Sequence, residues 1–178
     1  MHYQPQRHLL KDRIILVTGA SDGIGREAAL TYARYSASVI LLGRNDDKLR
    51  TVAQEIEREG GIPPRWFTLA LLTCTPQACQ QLAQQISMHY PRLDGVLHNA
   101  GLLGDICPME EQKPEVWQQV MQVNVNGTFM LTQALLPLLL RSDSGSLVFT
   151  SSSVGRQGRA NSGAYAVSKF ATEGMMQV

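Results

Sequence analysis

The chain has 178 residues, 44% of them apolar and 17% charged, enough for one domain with a sizeable core and too apolar for a disordered chain. Sixteen basic against fifteen acidic residues leave a formal charge of +1, so neither nucleic acid nor a membrane surface is an expected partner. The cysteines Cys74, Cys79 and Cys107 are odd in number and lack zinc-like spacing, which predicts reduced thiols, no metal site and a cytoplasmic protein.

Residues 1–12 are polar and hold no apolar core of a signal peptide. Residues 13–17, Arg-Ile-Ile-Leu-Val, form a β-branched run that reads as a buried strand. Thr18-Gly19-Ala20-Ser21-Asp22-Gly23-Ile24-Gly25 follows, and a helical pattern begins at Gly25. Strand, glycine-rich turn and helix start make a dinucleotide-binding arrangement. Gly19 would permit the tight turn, Gly23 the approach of a pyrophosphate and Gly25 close packing of helix on strand, with the helix N-terminus facing the negative charge.

Residues 37–42 are a second buried strand, joined to the first by the helix over 25–36, so the two are expected to be parallel with a right-handed crossover. It ends at Gly43-Arg44. An acidic side chain here would hold a ribose 2′-hydroxyl. The cation at Arg44 instead suits a 2′-phosphate, hence NADP rather than NAD. Residues 46–60 predict a helix with Leu49, Val52, Ala53 and Ile56 on its apolar face. Strands are predicted at 65–70, 95–98 and 146–150, with a helix at 76–90. A long helix is predicted over 115–141, its last turns loosened by Pro137. The longest apolar run, 134–140, is too short to span a bilayer. Strand and helix alternate throughout, the pattern of an α/β, three-layer, doubly wound parallel sheet covered on both faces. The last helix carries Tyr165-Ala166-Val167-Ser168-Lys169. Tyrosine and lysine four apart share one helix face, and an ammonium beside a phenol favours the phenolate, a group suited to passing a proton to or from a substrate oxygen.

Taken together these residues resemble the short-chain dehydrogenase/reductase family, from about Lys11 to the end of the chain. Thr18 to Gly25 match its Thr-Gly-x-x-x-Gly-x-Gly motif, and Asn99-Ala100-Gly101 its Asn-Ala-Gly motif, with His98 where asparagine is usual. Several segments are similar to an enterobacterial branch of that family. The glycine spacing departs from the extended, epimerase-like relatives, which would need glycine at Asp22. The resemblance implies a Rossmann fold with strand order 3-2-1-4-5, catalytic residues Asn124, Ser152, Tyr165 and Lys169, and Ser152 with Tyr165 on the substrate. It implies cofactor contacts at Gly19, Ser21, Gly23, Ile24, Gly25, Arg44, Asn99, Ala100, Gly101, Tyr165 and Lys169. Asn124 would hold a water that relays protons to Lys169. It implies hydride transfer between NADP(H) and a carbonyl or alcohol, and a homodimer or homotetramer built on the two long helices. The other reading is a nucleotide-binding protein without turnover, a sensor or assembly partner. Two departures are expected. Ala70 and Leu71 stand where an aspartate usually contacts adenine. The chain, one Rossmann domain over residues 1–178, is expected to stop within the Tyr165 helix, before the sixth and seventh strands and the substrate lid.

Overall fold

A computed structural model describes residues 5–178; residues 1–4 of the polar leading segment lie outside it. The elements run β1 (Ile14–Thr18), α1 (Gly23–Arg34), β2 (Ser38–Gly43), α2 (Asp46–Arg58), β3 (Arg65–Thr68), α3 (Pro76–Ser87), β4 (Gly95–His98), α4 (Pro114–Met121), α5 (Thr128–Leu139), β5 (Ser146–Phe149) and α6 (Gly163–Gln177). All strand pairs are parallel, and the order is β3-β2-β1-β4-β5, as expected. β1, β2 and β4 are apolar runs because helices cover both faces there. On one face Val17, Val39 and Leu41 meet Ala29, Leu30 and the α2 stripe. On the other, Leu16, Ile40 and Val96 meet Leu82, Ile86, Leu131 and Leu135 of α3 and α5.

The α2 stripe behaves as its periodicity predicts: Leu49, Val52, Ala53 and Ile56 are each at most 1% exposed. Burying one such Leu or Ile contributes roughly 1.5–3 kcal/mol. Asn45 starts that helix, its side-chain oxygen accepting from the Lys48 N–H at 3.0 Å. α1 begins two residues earlier than the glycine spacing suggested, because Asp22 supplies its cap through the Gly23 N–H at 2.8 Å.

The predicted long helix is interrupted, and not at Pro137. α5 runs through Pro137 to Leu139, whereas Gln122–Gly127 is a π turn between α4 and α5. Two side-chain choices favour the widened turn. Asn124 turns away from its own helix to bond the backbone of Leu102. Gly127 leaves room where a Cβ would stand 2.9 Å from the Leu71 carbonyl oxygen.

At the N-terminal ends of the strands, buried Asp94 ties three elements together. Its carboxylate accepts from Ile14 N at 2.9 Å, Arg92 Nε at 2.8 Å and Ser142 Oγ at 2.6 Å. Burial alone would favour the neutral acid, but these three donors prevail and hold the carboxyl below its ordinary range. The opposite, C-terminal ends of the strands are thereby left for loops. Strand order reverses between β1 and β4, and open α/β sheets have their ligand crevice at such a switch point.

Candidate active site

The loop leaving β1 lies against the loop leaving β4, and Thr18 joins them. Its Oγ accepts from both the Asn99 and Ala100 N–H groups, each at 3.0 Å. The contact is tight. A Cβ on Gly25 would stand 2.3 Å from the Gly19 carbonyl oxygen and 2.6 Å from Asn99 Nδ2. Gly19 has φ +65°, the left-handed region open to glycine, and its Cβ would meet the Ala100 backbone at 3.0 Å. Gly23, at φ +53°, faces open space. Ile24, 69% exposed, stands at the rim and Ser21 is half-buried beside it. Arg44 is exposed at the end of β2, with no ion pair among the described residues.

The loops leaving β4 and β5 meet the Tyr165 helix. Lys169 is buried, donates to the Thr150 carbonyl at 2.6 Å and places its Nζ 5.5 Å from the centre of the Tyr165 ring. Burial lowers the lysine pKa from its usual value. An ammonium has three donors, so two N–H groups remain for other partners. A Cβ built on Gly101 would lie 3.9 Å from Lys169 Nζ and 3.5 Å from Asn124 Oδ1, so three sequence-predicted residues converge. Asn124 is 4% exposed, and its amide is committed. Oδ1 accepts from Leu102 N at 2.7 Å, while Nδ2 donates to Leu102 O and to Ser168 Oγ, both at 2.9 Å. Its side chain therefore ties the β4 loop to α6 rather than facing the crevice. Ser152 follows β5 and caps a short 3-10 turn, Ser153–Gly155, accepting from Val154 N at 3.4 Å. Its own hydroxyl proton remains free to donate.

Three residues that sequence reasoning passed over position this site. Thr150 gives its carbonyl to Lys169 and its hydroxyl to Asn99 Oδ1 at 3.1 Å. Ser168 passes the Asn124 bond on to the Tyr165 carbonyl at 2.7 Å. Thr18 was visible as the first letter of the glycine motif; the other two carry no signal without the fold.

His98, the departure before Asn99, is 5% exposed and stacks on Phe149 at 5.0 Å. Its tautomer follows from Thr132. The single Thr132 hydroxyl proton goes to the Thr128 carbonyl at 2.8 Å. The 2.9 Å contact with His98 Nε2 must then be donation by the imidazole. Nδ1 is left as a bare acceptor with no partner in the structure. Desolvation pushes the His98 pKa down to about 4, so the ring is neutral at pH 7.

A doubly wound parallel sheet with a glycine crevice at its switch point defines a Rossmann-type protein. A family model described as short chain dehydrogenase matches residues 13–178, and this chain belongs to that family of oxidoreductases. It is 79% identical to the uncharacterized oxidoreductase YciK of Escherichia coli K12 over all of its own length and 71% of that protein. It is 31% identical to the 3-oxoacyl-[acyl-carrier-protein] reductase FabG of Thermotoga maritima, covering 93% of this chain and 66% of that one. The 0.95 Å structure of an oxidoreductase, yciK from E. coli, superposes with a TM-score of 0.98 at 79% identity, over 99% of this chain and 72% of that chain. A short chain dehydrogenase from E. coli CFT073 complexed with NADPH superposes with a TM-score of 0.96 at 79% identity, over 97% and 72%.

Proposed function

We propose that the chain binds NADP(H) across the crevice between the glycine loop and Asn99–Gly101, and that it carries the catalytic residues of an oxidoreductase acting on a small carbonyl or alcohol. The observation that carries this is Lys169: an ammonium buried beside the Tyr165 ring, with donors to spare, facing the loop that would flank the cofactor. The crevice fits the cofactor. Gly23 offers open backbone to a pyrophosphate at the start of α1, and Arg44 offers a cation to a 2′-phosphate. The relative solved with NADPH supports the same choice over NAD.

Bound NADP(H) supplies the hydride chemistry; the chain supplies the proton and the charge. In the direction of reduction Tyr165 donates its phenolic proton to the carbonyl oxygen. Ser152 donates a hydrogen bond to the same oxygen as charge develops there. Lys169 stabilises the phenolate left behind and turns a second N–H toward the cofactor's ribose. Because the Asn124 amide is already committed, a relay water would rest on a main-chain carbonyl of the π turn, and Asn124 would act by holding that turn against Leu102 and Ser168. The site of action proposed is the cytoplasm, where the thiols of Cys74, Cys79 and Cys107 stay free; no helix among the described residues is long and apolar enough to cross a membrane. The exposed apolar side chains Phe129, Val167 and Phe170 on α5 and α6 support a homodimer or homotetramer joined there.

The test is Tyr165→Phe, followed as NADPH oxidation across a panel of aldehydes and ketones. The ring still packs, so NADPH affinity should persist while turnover falls by ~10²–10⁴. Turnover at the wild-type rate refutes the assignment. NADPH binding without turnover of any carbonyl by the unaltered chain would instead support a nucleotide-binding protein that does no chemistry.

A further inference from the structure

We propose that Lys48 is a second cation of the 2′-phosphate subsite, parked on Asp22 until that phosphate arrives; this rests on the reading of residues 18–25 as the NADP(H) crevice. The register of the sheet brings the parts together. Thr18 pairs with Leu42, so the glycine loop leaving β1 and the turn Gly43-Arg44-Asn45 leaving β2 emerge side by side. Asn45 caps α2 through Lys48 N, which fixes Lys48 in the first turn, just beyond Arg44. The Lys48 side chain reaches back across the mouth of the crevice, and its Nζ lies 3.3 Å from Asp22 Oδ2. The other Asp22 oxygen accepts from Gly23 N at 2.8 Å. The ammonium is thus held between the glycine loop and the turn that bears Arg44.

The pair is poorly explained as a stabilising device. Its side chains are 59% and 79% exposed, and ion pairs so open to water contribute little to folding. Its partner charge is more telling. A carboxylate offers one negative charge, whereas a phosphate monoester offers close to two and three acceptor oxygens. A 2′-phosphate placed beside Arg44 would therefore draw Lys48 off Asp22. The competing role for Lys48 is to neutralise Asp22 so that the diphosphate can approach, which would serve NADP and NAD alike.

Dinucleotide affinity separates the two roles without any substrate. The full chain would be titrated with NADP⁺, NAD⁺, adenosine 2′,5′-bisphosphate and 5′-AMP by calorimetry. Urea unfolding would confirm that each variant is folded. Lys48→Ala is expected to weaken NADP⁺ and the bisphosphate by about ten-fold, the scale of one charge-assisted hydrogen bond, and to leave NAD⁺ and 5′-AMP unchanged. Asp22→Asn, which frees Lys48, is expected to raise the preference for NADP⁺ over NAD⁺, and to lose that gain when combined with Lys48→Ala. Equal loss for both dinucleotides in Lys48→Ala overturns the proposal, as does unchanged NADP⁺ affinity. An unaltered chain that binds neither dinucleotide overturns the crevice reading itself and the proposal with it.

Discussion

The glycines of the β1 loop should fail in different ways when each gains a methyl group. At Gly25 the methyl carbon would lie 2.3 Å from the Gly19 carbonyl oxygen and 2.8 Å from its carbon. The obstacle is backbone, held in turn by Thr18 and Ala100, so α1 would have to move off the sheet. Overpacking of this kind costs about 3 kcal/mol. At Gly23 the methyl meets nothing within 4 Å, but φ is +53°. An L-residue in that left-handed region costs about 1 kcal/mol. With a urea m-value of about 2 kcal/mol/M, Gly25→Ala should unfold about 1.5 M earlier and Gly23→Ala about 0.5 M earlier. The order should invert for cofactor. Gly23→Ala fills the open approach to α1 and should lose NADP⁺ affinity far out of proportion to its stability. Gly25→Ala unfolding at the wild-type urea concentration, or Gly23→Ala binding NADP⁺ with wild-type affinity, would refute the division of labour between them.

His98 gives a pH dependence with a definite sign. Between 6.5, the ordinary imidazole value, and about 4, the unfolded chain takes up a proton that the folded chain refuses. The His98 contribution is therefore complete above pH 6.5, declines as the pH falls and levels off below about 4, by ~3 kcal/mol in all. Urea titrations of His98→Asn should lack that slope; a variant that keeps it shows that another group is responsible. For assembly, Phe129 on α5 is 52% exposed, and Phe170 and Val167 on α6 are 47% and 40% exposed. The chain should scatter light as a dimer or tetramer, and Phe170→Glu should shift it toward monomer. A wild-type monomer at working concentration would be the contrary result.

The sequence disclosed what local pattern governs. The α2 stripe, the strands and the span of the glycine loop follow from periodicity, β-branched runs and turn residues, each fixed within a few residues of chain; the strand order came only with the family resemblance. What escaped depends on partners far away. Nothing near Asn124 announces that Leu102 and Ser168 will occupy its amide, because those bonds span 22 and 44 residues. Thr150 looks like a strand end until Lys169 donates to it, and Lys48 like a solvated helix lysine until Asp22 is found opposite. The predicted long helix missed its π turn for the same reason, since the choice between α and π winding lies in what Asn124 bonds rather than in helix propensity. Pro137, which does stand out in the sequence, leaves α5 intact to Leu139.

The π turn also decides which length changes this helical stretch can absorb. It holds one residue beyond what an α-helix would need over the same path, and each residue advances an α-helix by about 100°. Removing exposed Asn126 would let Gln122–Gly127 relax to ordinary winding. α4 and α5 would then keep their phase, because the residue lost is the one that the wider turn takes up. Val120, on one side, and Leu131 and Leu135, on the other, are all fully buried, and they would still face inward together. A residue removed from within α4 or α5 has no such slack and would swing one of these faces about 100° away from the core. One-residue deletions between relatives should therefore fall at Gln122–Gly127 or in loops such as residues 102–108, and not within α4 or α5.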